Sequence, residues 1–133
     1  MKKIEHIGIA VKDIASSGKL FEKLFKAAPY KTEAVEREGV MTSFFRMGES
    51  KIELLEATSP DSPIARFIEK KGEGIHHIAF EVEDIYAEME RLKGEGFTLL
   101  HPEPKPGADN KLICFLHPRD TNGVLIELCM ERK

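Results

Sequence analysis

The sequence feature that most constrains the fold is an internal repeat. Residues 6–14 read HIGIAVKDI and residues 77–85 read HIAFEVEDI, so the same pattern of histidine, isoleucine, valine and aspartate recurs in register. Residues 50–56 (SKIELLE) and 124–130 (VLIELCM) share Ile-Glu-Leu at nearly the same offset. Two matched segments in the same order indicate a duplicated module of about half the chain.

Hydrophobic periodicity predicts the element order βαβββ in each module. In the first module (about 3–57) we predict strands at 3–11, 30–37, 40–47 and 50–57 and a helix at 16–27, capped by Ser16 or Ser17. In the second module (about 75–131) we predict strands at 75–82, near 97–100, at 111–117 and at 123–130, and a helix at 85–94, capped by Asp84. A linker with a short helix (about 61–71) joins them. We therefore expect a single α+β domain over 1–133, in which two paired βαβββ modules form a curved, cupped mixed sheet.

Composition limits the partners of the chain. Lysine and arginine number 20 and aspartate and glutamate number 23, so the net charge of −3 offers no basic excess for binding nucleic acid. The apolar runs are far too short to span a bilayer, and the N-terminal segment lacks a signal-type cleavage site. Cys114 and Cys129 lie in apolar, strand-like runs, which favours reduced core thiols in a cytoplasmic protein.

The alternation of side chains along strands brings four polar residues onto one kind of face. In the first strand of each module the large apolar residues face the helix, so His6 and His77 point away from it. In the last strand of each module an isoleucine and a leucine flank the glutamate, so Glu53 and Glu127 also point away from the helix. If the modules pair about a pseudo-twofold axis, all four side chains line one cavity.

Four such groups are costly to bury unless they are paired or bind a cation. Two imidazoles and two carboxylates suit a divalent ion of borderline hardness, such as Zn, Co, Ni, Mn or Fe, and they leave two positions of an octahedral ion for water or a bidentate substrate. Taken singly, a strand histidine is more often structural and a strand glutamate is more often solvated. Because the repeat relates all four residues, we favour the metal site.

The residues that carry this repeat resemble the vicinal oxygen chelate superfamily, which has the glyoxalase fold. Along nearly its whole length the sequence is similar to the methylmalonyl-CoA epimerases of that superfamily. The resemblance is carried by HIGIAVKDI, KIELLE, DSPIARFIEK, GIHHIAFEV and FLHPRDTNGVLIEL. The first and fourth of these motifs are shared broadly by the superfamily, whereas DSPIARF and FLHPRDTNGVLIEL are more specific to the epimerases.

The resemblance implies that His6, Glu53, His77 and Glu127 bind one divalent metal ion (Co, Ni, Zn or Mn) and that the substrate is an acyl-CoA thioester. It implies interconversion of (R)- and (S)-methylmalonyl-CoA, in which the α-proton is removed and the ion stabilises the enolate. Inversion uses two acid/base groups on opposite sides of the carbon, and we expect Glu127 to be one base and Glu53 to be the other.

Three further expectations follow from the resemblance. The CoA phosphates need cationic donors, and nearby loops offer Lys105, Lys111 and Arg119, although each of them, taken singly, is more often a solvated surface charge. Some relatives carry another acid on the strand that here reads GVMTSFF, where this chain has Thr42 and Ser43, so a second base at that position is not expected. Members of the superfamily often form homodimers, and we expect the same of this chain.

Three other functions are compatible with the fold. Glyoxalase I (lactoylglutathione lyase) uses the same kind of metal site on the hemithioacetal of glutathione and methylglyoxal. An extradiol dioxygenase uses two histidines and one carboxylate on iron(II), and Glu53 as a fourth ligand argues against it because oxygen and a catechol need three open positions. A ligand-sequestering protein, such as a drug-binding resistance protein, typically lacks the ligand set.

Overall fold

Eight strands and three helices make up the computed structural model, which describes residues 1–132. In chain order they are β1 (Lys3–Ala10), α1 (Ile14–Phe25), β2 (Lys31–Val35), β3 (Val40–Met47), β4 (Ser50–Ala57), α2 (Pro63–Lys71), β5 (Gly74–Glu81), α3 (Ile85–Gly94), β6 (Lys105–Pro106), β7 (Lys111–Leu116) and β8 (Ile126–Glu131). They fall into two compact units, one of residues 7–76 and the other of residues 1–6 with the chain from His77 onward. Within residues 1–132, none of the helices combines the length and the apolar character needed to cross a membrane.

In the unit of residues 7–76, an antiparallel meander packs against α1. β2 pairs with β3, and β3 pairs with β4. The apolar side chains that alternate along these strands meet the helix in one core, which contains Val11, Phe45 and Leu54, with Ile9, Ile14, Phe21, Phe25, Met47 and Ile52 around them. Phe45 and Leu54 are fully buried. The predicted alternation, with large apolar residues toward the helix, is therefore confirmed in this half.

In the unit that contains residues 77–132, the strand pairs are of both kinds. β5 is parallel to β8, whereas β8 with β7 and β7 with β6 are antiparallel. α3 begins directly after Asp84, whose carboxylate accepts hydrogen bonds from the backbone N–H groups of Tyr86 and Ala87. The core of this unit contains Val82, Ile85, Met89, Leu92, Cys114, Leu116 and Leu128.

The N-terminus of α1 differs from the prediction. The helix begins two residues earlier, and Asp13, rather than Ser16 or Ser17, is the N-cap. The backbone of Asp13 is extended, and its Oδ1 accepts a hydrogen bond from the N–H of Ala15 at 3.0 Å. A carboxylate directly before a helix is well placed to satisfy a free N–H group of the first turn, and this decides where the helix starts.

The second strand also ends earlier than predicted. β2 stops at Val35, and a short 3₁₀ turn (Glu36–Glu38) follows it. Gly39 closes the turn with φ 65°, and a Cβ there would lie 2.8 Å from the Cβ of Ser62. Glycine is therefore required at this position by both the backbone conformation and the close approach.

The predicted strand near 97–100 is wrong. Leu99 forms an isolated bridge with Leu116, and no strand is assigned to 97–100 in the described part of the chain. Pro102 and Pro104 follow within a few residues, and proline has no N–H group with which to extend a ladder. The additional strand of this half is instead β6, which has two residues.

Candidate metal centre

Three of the four predicted ligands lie together in the unit that contains residues 77–132. His6 belongs to β1, His77 to β5 and Glu127 to β8. Glu127 is opposite Ala79 in the parallel pair of β5 and β8 and opposite Phe115 in the antiparallel pair of β7 and β8. Because His77 and Ala79 are two residues apart, they share a face of β5, and the pleat brings His77 to the face of Glu127. All three ligand candidates are buried.

The possible donor atoms of these residues form a small triangle. The Nε2 atoms of His6 and His77 are 3.0 Å apart, and Oε1 of Glu127 lies 3.0 Å from Nε2 of His77 and 3.4 Å from Nε2 of His6. Neighbouring ligand atoms that share one ion at about 2.0–2.2 Å lie roughly 3–3.5 Å from each other. The three residues therefore fit a divalent ion in both donor type and spacing.

The charge state of Glu127 also suits a cation. Burial opposes the charged form, but the imidazoles of His6 and His77 outweigh burial and hold the pKa of this carboxyl well below its usual range. Glu127 is therefore a carboxylate at neutral pH. Burial, together with the nearby charge of Glu127, raises the pKa of the Cys129 thiol above its usual value, so Cys129 is a neutral thiol and not a thiolate ligand.

Apolar side chains border the triangle. The ring of Phe115 packs edge-on against the imidazole of His77, with ring centroids 5.7 Å apart. Phe115 in turn packs against Ala79, Ile113 and Cys129, of which Ala79 and Cys129 are fully buried. These surroundings exclude water from one side of the ligands, and they strengthen electrostatic interactions with anything bound there.

Two further charged residues are buried beside His6. Oε1 of Glu5 lies 2.8 Å from Nδ1 of His6, and Oε2 of Glu5 lies 4.0 Å from Nζ of Lys111. Nζ of Lys111 is also 3.4 Å from Oε1 of Glu131. Glu5 was not among the predicted site residues, and the available signal was an acidic residue directly before a candidate ligand histidine in an otherwise apolar strand.

The remaining predicted site residues have different surroundings. Glu53 is buried in β4, in the unit of residues 7–76, and its role as a fourth ligand stays a prediction. Lys105 is partly buried in β6, and Arg119 is exposed and donates a hydrogen bond from Nη2 to Oγ1 of Thr98 at 3.1 Å. Lys111 is buried between carboxylates, a placement that favours an internal ion pair over a phosphate contact.

Comparison with known proteins identifies relatives along nearly the whole chain. The sequence model of the Glyoxalase/Bleomycin resistance protein/Dioxygenase superfamily matches residues 5–115. The ethylmalonyl-CoA/methylmalonyl-CoA epimerase of Cereibacter sphaeroides is 41% identical, over 95% of this chain and 96% of that protein. The mitochondrial methylmalonyl-CoA epimerase of Homo sapiens is 38% identical, over 95% of this chain and 72% of that protein.

A solved structure has the same fold. A variant of the Streptomyces coelicolor methylmalonyl-CoA epimerase, in complex with 2-nitronate-propionyl-CoA, matches with a TM-score of 0.95 and 34% sequence identity. The match covers 98% of this chain and 95% of that chain. The glyoxalase fold that the resemblance implied is therefore confirmed.

Proposed function

Because the chain belongs to the Glyoxalase/Bleomycin resistance protein/Dioxygenase superfamily, we propose that it is a methylmalonyl-CoA epimerase, an isomerase that interconverts the (R) and (S) forms of methylmalonyl-CoA. The observation that carries the proposal is the buried set of His6, His77 and Glu127, whose donor atoms lie 3.0–3.4 Å apart. The relatives described above match 95% or more of this chain and are themselves named as epimerases of this substrate class.

We propose that His6, His77 and Glu127 hold one divalent ion, with Glu53 as the fourth ligand. Glu53 and Glu127 both stand in an Ile-Glu-Leu segment, and both are buried. Imidazole and carboxylate ligands suit Co, Ni, Zn and Mn alike, so cellular supply decides which ion is bound. When bound, the ion supplies Lewis-acid stabilisation of the negative charge that develops on the thioester oxygen.

The acid/base work belongs to the side chains. Inversion of the carbon between the thioester and the carboxylate needs a base on one face and an acid on the other. We assign the first role to Glu127, a buried carboxylate beside the two imidazoles. Glu53, its counterpart in the repeat, serves the opposite face. Burial keeps bulk water away from the carboxylates, which strengthens their electrostatic interactions with a bound substrate.

The phosphates of CoA need cationic donors outside the buried site. We assign this role to Lys105 and to Arg119, whose side chain is 64% exposed. Lys111 completes the predicted set, but a phosphate would have to draw its ammonium out of the contacts with Glu5 and Glu131. Substitution of Lys105 or Arg119 by alanine is therefore expected to raise KM for acyl-CoA. The same substitution of an exposed lysine far from both residues should raise KM less.

We also propose that the protein acts as a homodimer in the cytoplasm. Cys114 and Cys129 are free and buried thiols, as expected in a reducing compartment. Homodimers are common in the superfamily that the chain resembles. Light scattering during size-exclusion chromatography tests the assembly, since a mass near 15.0 kDa would contradict a dimer.

Epimerisation in heavy water tests the proposed reaction. The metal-loaded protein is incubated with one epimer of methylmalonyl-CoA in D₂O, and mass spectrometry and chiral analysis follow the product. We expect the other epimer to form with deuterium at the α-carbon, because the proton is removed and replaced. Turnover of the glutathione–methylglyoxal hemithioacetal alone would identify a glyoxalase I instead, and turnover of neither substrate would favour a ligand-binding protein.

A further inference from the structure

A buried chain of polar contacts approaches His6 from the side away from the donor triangle. Nδ1 of His6 lies 2.8 Å from Oε1 of Glu5, and an ionised carboxylate accepts hydrogen bonds but donates none. Glu127 also offers a carboxylate oxygen to this ring, but its Oε1 is 3.4 Å from Nε2, whereas the contact of Glu5 with Nδ1 is 2.8 Å, so the geometry favours Nδ1 as the site of the ring proton in a neutral His6. This leaves the lone pair on Nε2, the atom that faces His77 and Glu127 at 3.0 and 3.4 Å.

Lys111 provides a positive charge for the carboxylate of Glu5. Its Nζ lies 4.0 Å from Oε2 of Glu5, and the two side chains are only 7% and 3% exposed. A buried carboxylate is strongly disfavoured unless a positive charge or several hydrogen bonds compensate it. Lys111 reaches this position from β7, where it is directly opposite Glu131 of β8, so two strands fix its place.

We propose that Glu5, supported by Lys111, is a positioning residue that holds His6 as the Nδ1–H tautomer and thereby presents Nε2 to a divalent metal ion. The inference rests on the metal-binding part of the proposed function, and it assigns a role to two residues outside the ligand set. A carboxylate that accepts the second ring N–H of a ligating histidine fixes the ring and makes its ligand nitrogen more basic. Its loss typically weakens metal binding by about 10–100-fold.

Nuclear magnetic resonance tests the tautomer directly. Long-range ¹H–¹⁵N correlation spectra of ¹⁵N-labelled protein distinguish the two ring nitrogens of His6. The spectra are recorded on the zinc-loaded protein and on the metal-free protein at a pH where the ring is neutral. We expect the proton on Nδ1 in both. A wild-type His6 with its proton on Nε2 in the metal-free protein would overturn the proposal, and this result needs no variant to fold.

Substitutions at Glu5 then test what holds the tautomer. E5A is expected to shift His6 toward the Nε2–H form and to raise the zinc dissociation constant about 10–100-fold, measured by competition with a chelator. E5D keeps a carboxylate, which can only accept from Nδ1, so it should retain the tautomer and recover part of the affinity. An E5A protein that keeps the Nδ1–H form and binds zinc within twofold of wild type would overturn the proposal, as would an E5D protein no better than E5A.

The other partner of Lys111 offers a matched control. Glu131 is 72% exposed, and E131A removes a carboxylate from Lys111 without touching His6. We expect its His6 tautomer and zinc affinity to equal those of wild type, and losses as large as those of E5A would overturn a specific role for Glu5. None of these measurements uses methylmalonyl-CoA. A protein with the expected tautomer and zinc affinities but no epimerase activity would therefore support this inference while contradicting the proposed reaction.

Discussion

In the proposed mechanism, the carboxylate of Glu127 has to satisfy two requirements at once. As a ligand it has to stay ionised at neutral pH, and the imidazoles of His6 and His77 ensure this despite burial. As a base it has to accept a proton from carbon during the reaction. Glutamine separates these requirements, because its amide keeps the shape and a ligand oxygen but cannot take up the proton.

Glu127→Gln is therefore expected to abolish most turnover while metal is still bound. His6 and His77 remain as ligands. After loading at a high concentration of the ion and dialysis, the metal content of the variant should therefore stay near that of wild type. Deuterium incorporation into methylmalonyl-CoA should fall by about 10²–10⁴-fold, the usual contribution of one acid/base group. H77A is the control, since it should lose metal and activity together. An E127Q protein with the wild-type rate would refute the assignment of the base.

For single residues, the alternation of side chains along a strand predicts which face of the sheet a side chain is on, but it does not predict which residues the side chain contacts. His6, His77 and Glu127 could be placed on a helix-free face because the strand period of two fixes that face. The ion contacts of Glu5 and Lys111 could not, because they depend on where β1 and β7 meet after folding. For the same reason Lys111 resembled a surface cation in the sequence although it is buried.

At the scale of elements, helices α1 and α3 show that a single capping residue determines where a helix begins. α3 has the predicted bounds because Asp84 is followed at once by a helical apolar pattern. α1 was placed too late because Ser16 and Ser17 compete with Asp13 as caps in the sequence, and the extended backbone at Asp13 resolves the choice in the folded chain. Caps are thus predictable where one candidate is present and ambiguous where several follow each other.

Asp84→Ala is expected to destabilise the fold by about 1 kcal/mol, within the ~0.5–2 kcal/mol range of N-cap truncations. The aspartate accepts hydrogen bonds from the N–H groups of Tyr86 and Ala87 at 3.0 and 3.2 Å, and alanine leaves both groups to water. Urea unfolding measures the change, and D84S should recover most of it because serine also caps helices. An unchanged free energy of unfolding in D84A would show that the cap does not matter.

A second aspartate ties a turn to a distant segment. Oδ2 of Asp120 accepts a hydrogen bond from the backbone N–H of Thr98 at 2.7 Å, and this bond lowers the pKa of the carboxyl. A carboxyl with a lower pKa in the folded chain stabilises the fold at pH values above its unfolded pKa of about 3.9. The contribution disappears as the pH falls through the folded pKa.

Asp120→Asn is therefore expected to be less stable than wild type at pH 7. The difference between the two proteins should narrow as the pH falls below about 4 and the wild-type carboxyl becomes protonated. Denaturant titrations at pH 7, 5 and 3 measure the difference in the free energy of unfolding between the two proteins. D61N is a useful comparison, because Asp61 also has a lowered pKa but bonds to the Ser59 hydroxyl nearby in sequence. If the free energy of unfolding of D120N differs from that of wild type by the same amount at all three pH values, the charge of Asp120 has no role in stability.

For the whole molecule, the repeat predicts the fold class, and the match to a solved epimerase confirms it. The repeat could not predict that Pro102 and Pro104 would replace a full strand with the two-residue β6. Nor could it reveal that residues 1–6 belong with the chain from His77 onward, because a strand's own sequence does not specify its neighbours. The sequence pattern therefore predicts the helices and strands and their buried faces better than it predicts which of them form one compact unit.

Metal binding is expected to stabilise the folded chain as a whole. An ion that binds His6, His77 and Glu127 in the folded state, present at 100 times its Kd, adds about 2.7 kcal/mol. For a chain of this length the gain corresponds to a rise in Tm of roughly 10 °C. Differential scanning calorimetry with added zinc should show the rise, and EDTA should reverse it. H77A should respond little, and an equal rise in H77A would place the bound zinc elsewhere.

The pairing of β8 restricts how the chain can change length. Glu127 lies opposite Ala79 and Phe115, while Ile126 and Leu128 on either side of it pack with the core of α3. Deleting one residue inside this strand would turn the glutamate into the apolar core and an aliphatic side chain toward the two imidazoles. A single-codon deletion would thus disrupt the candidate metal centre and the core together. Descendants of this scaffold can acquire new substrates by exchanging side chains or by lengthening loops, but their strands have to keep their residue count.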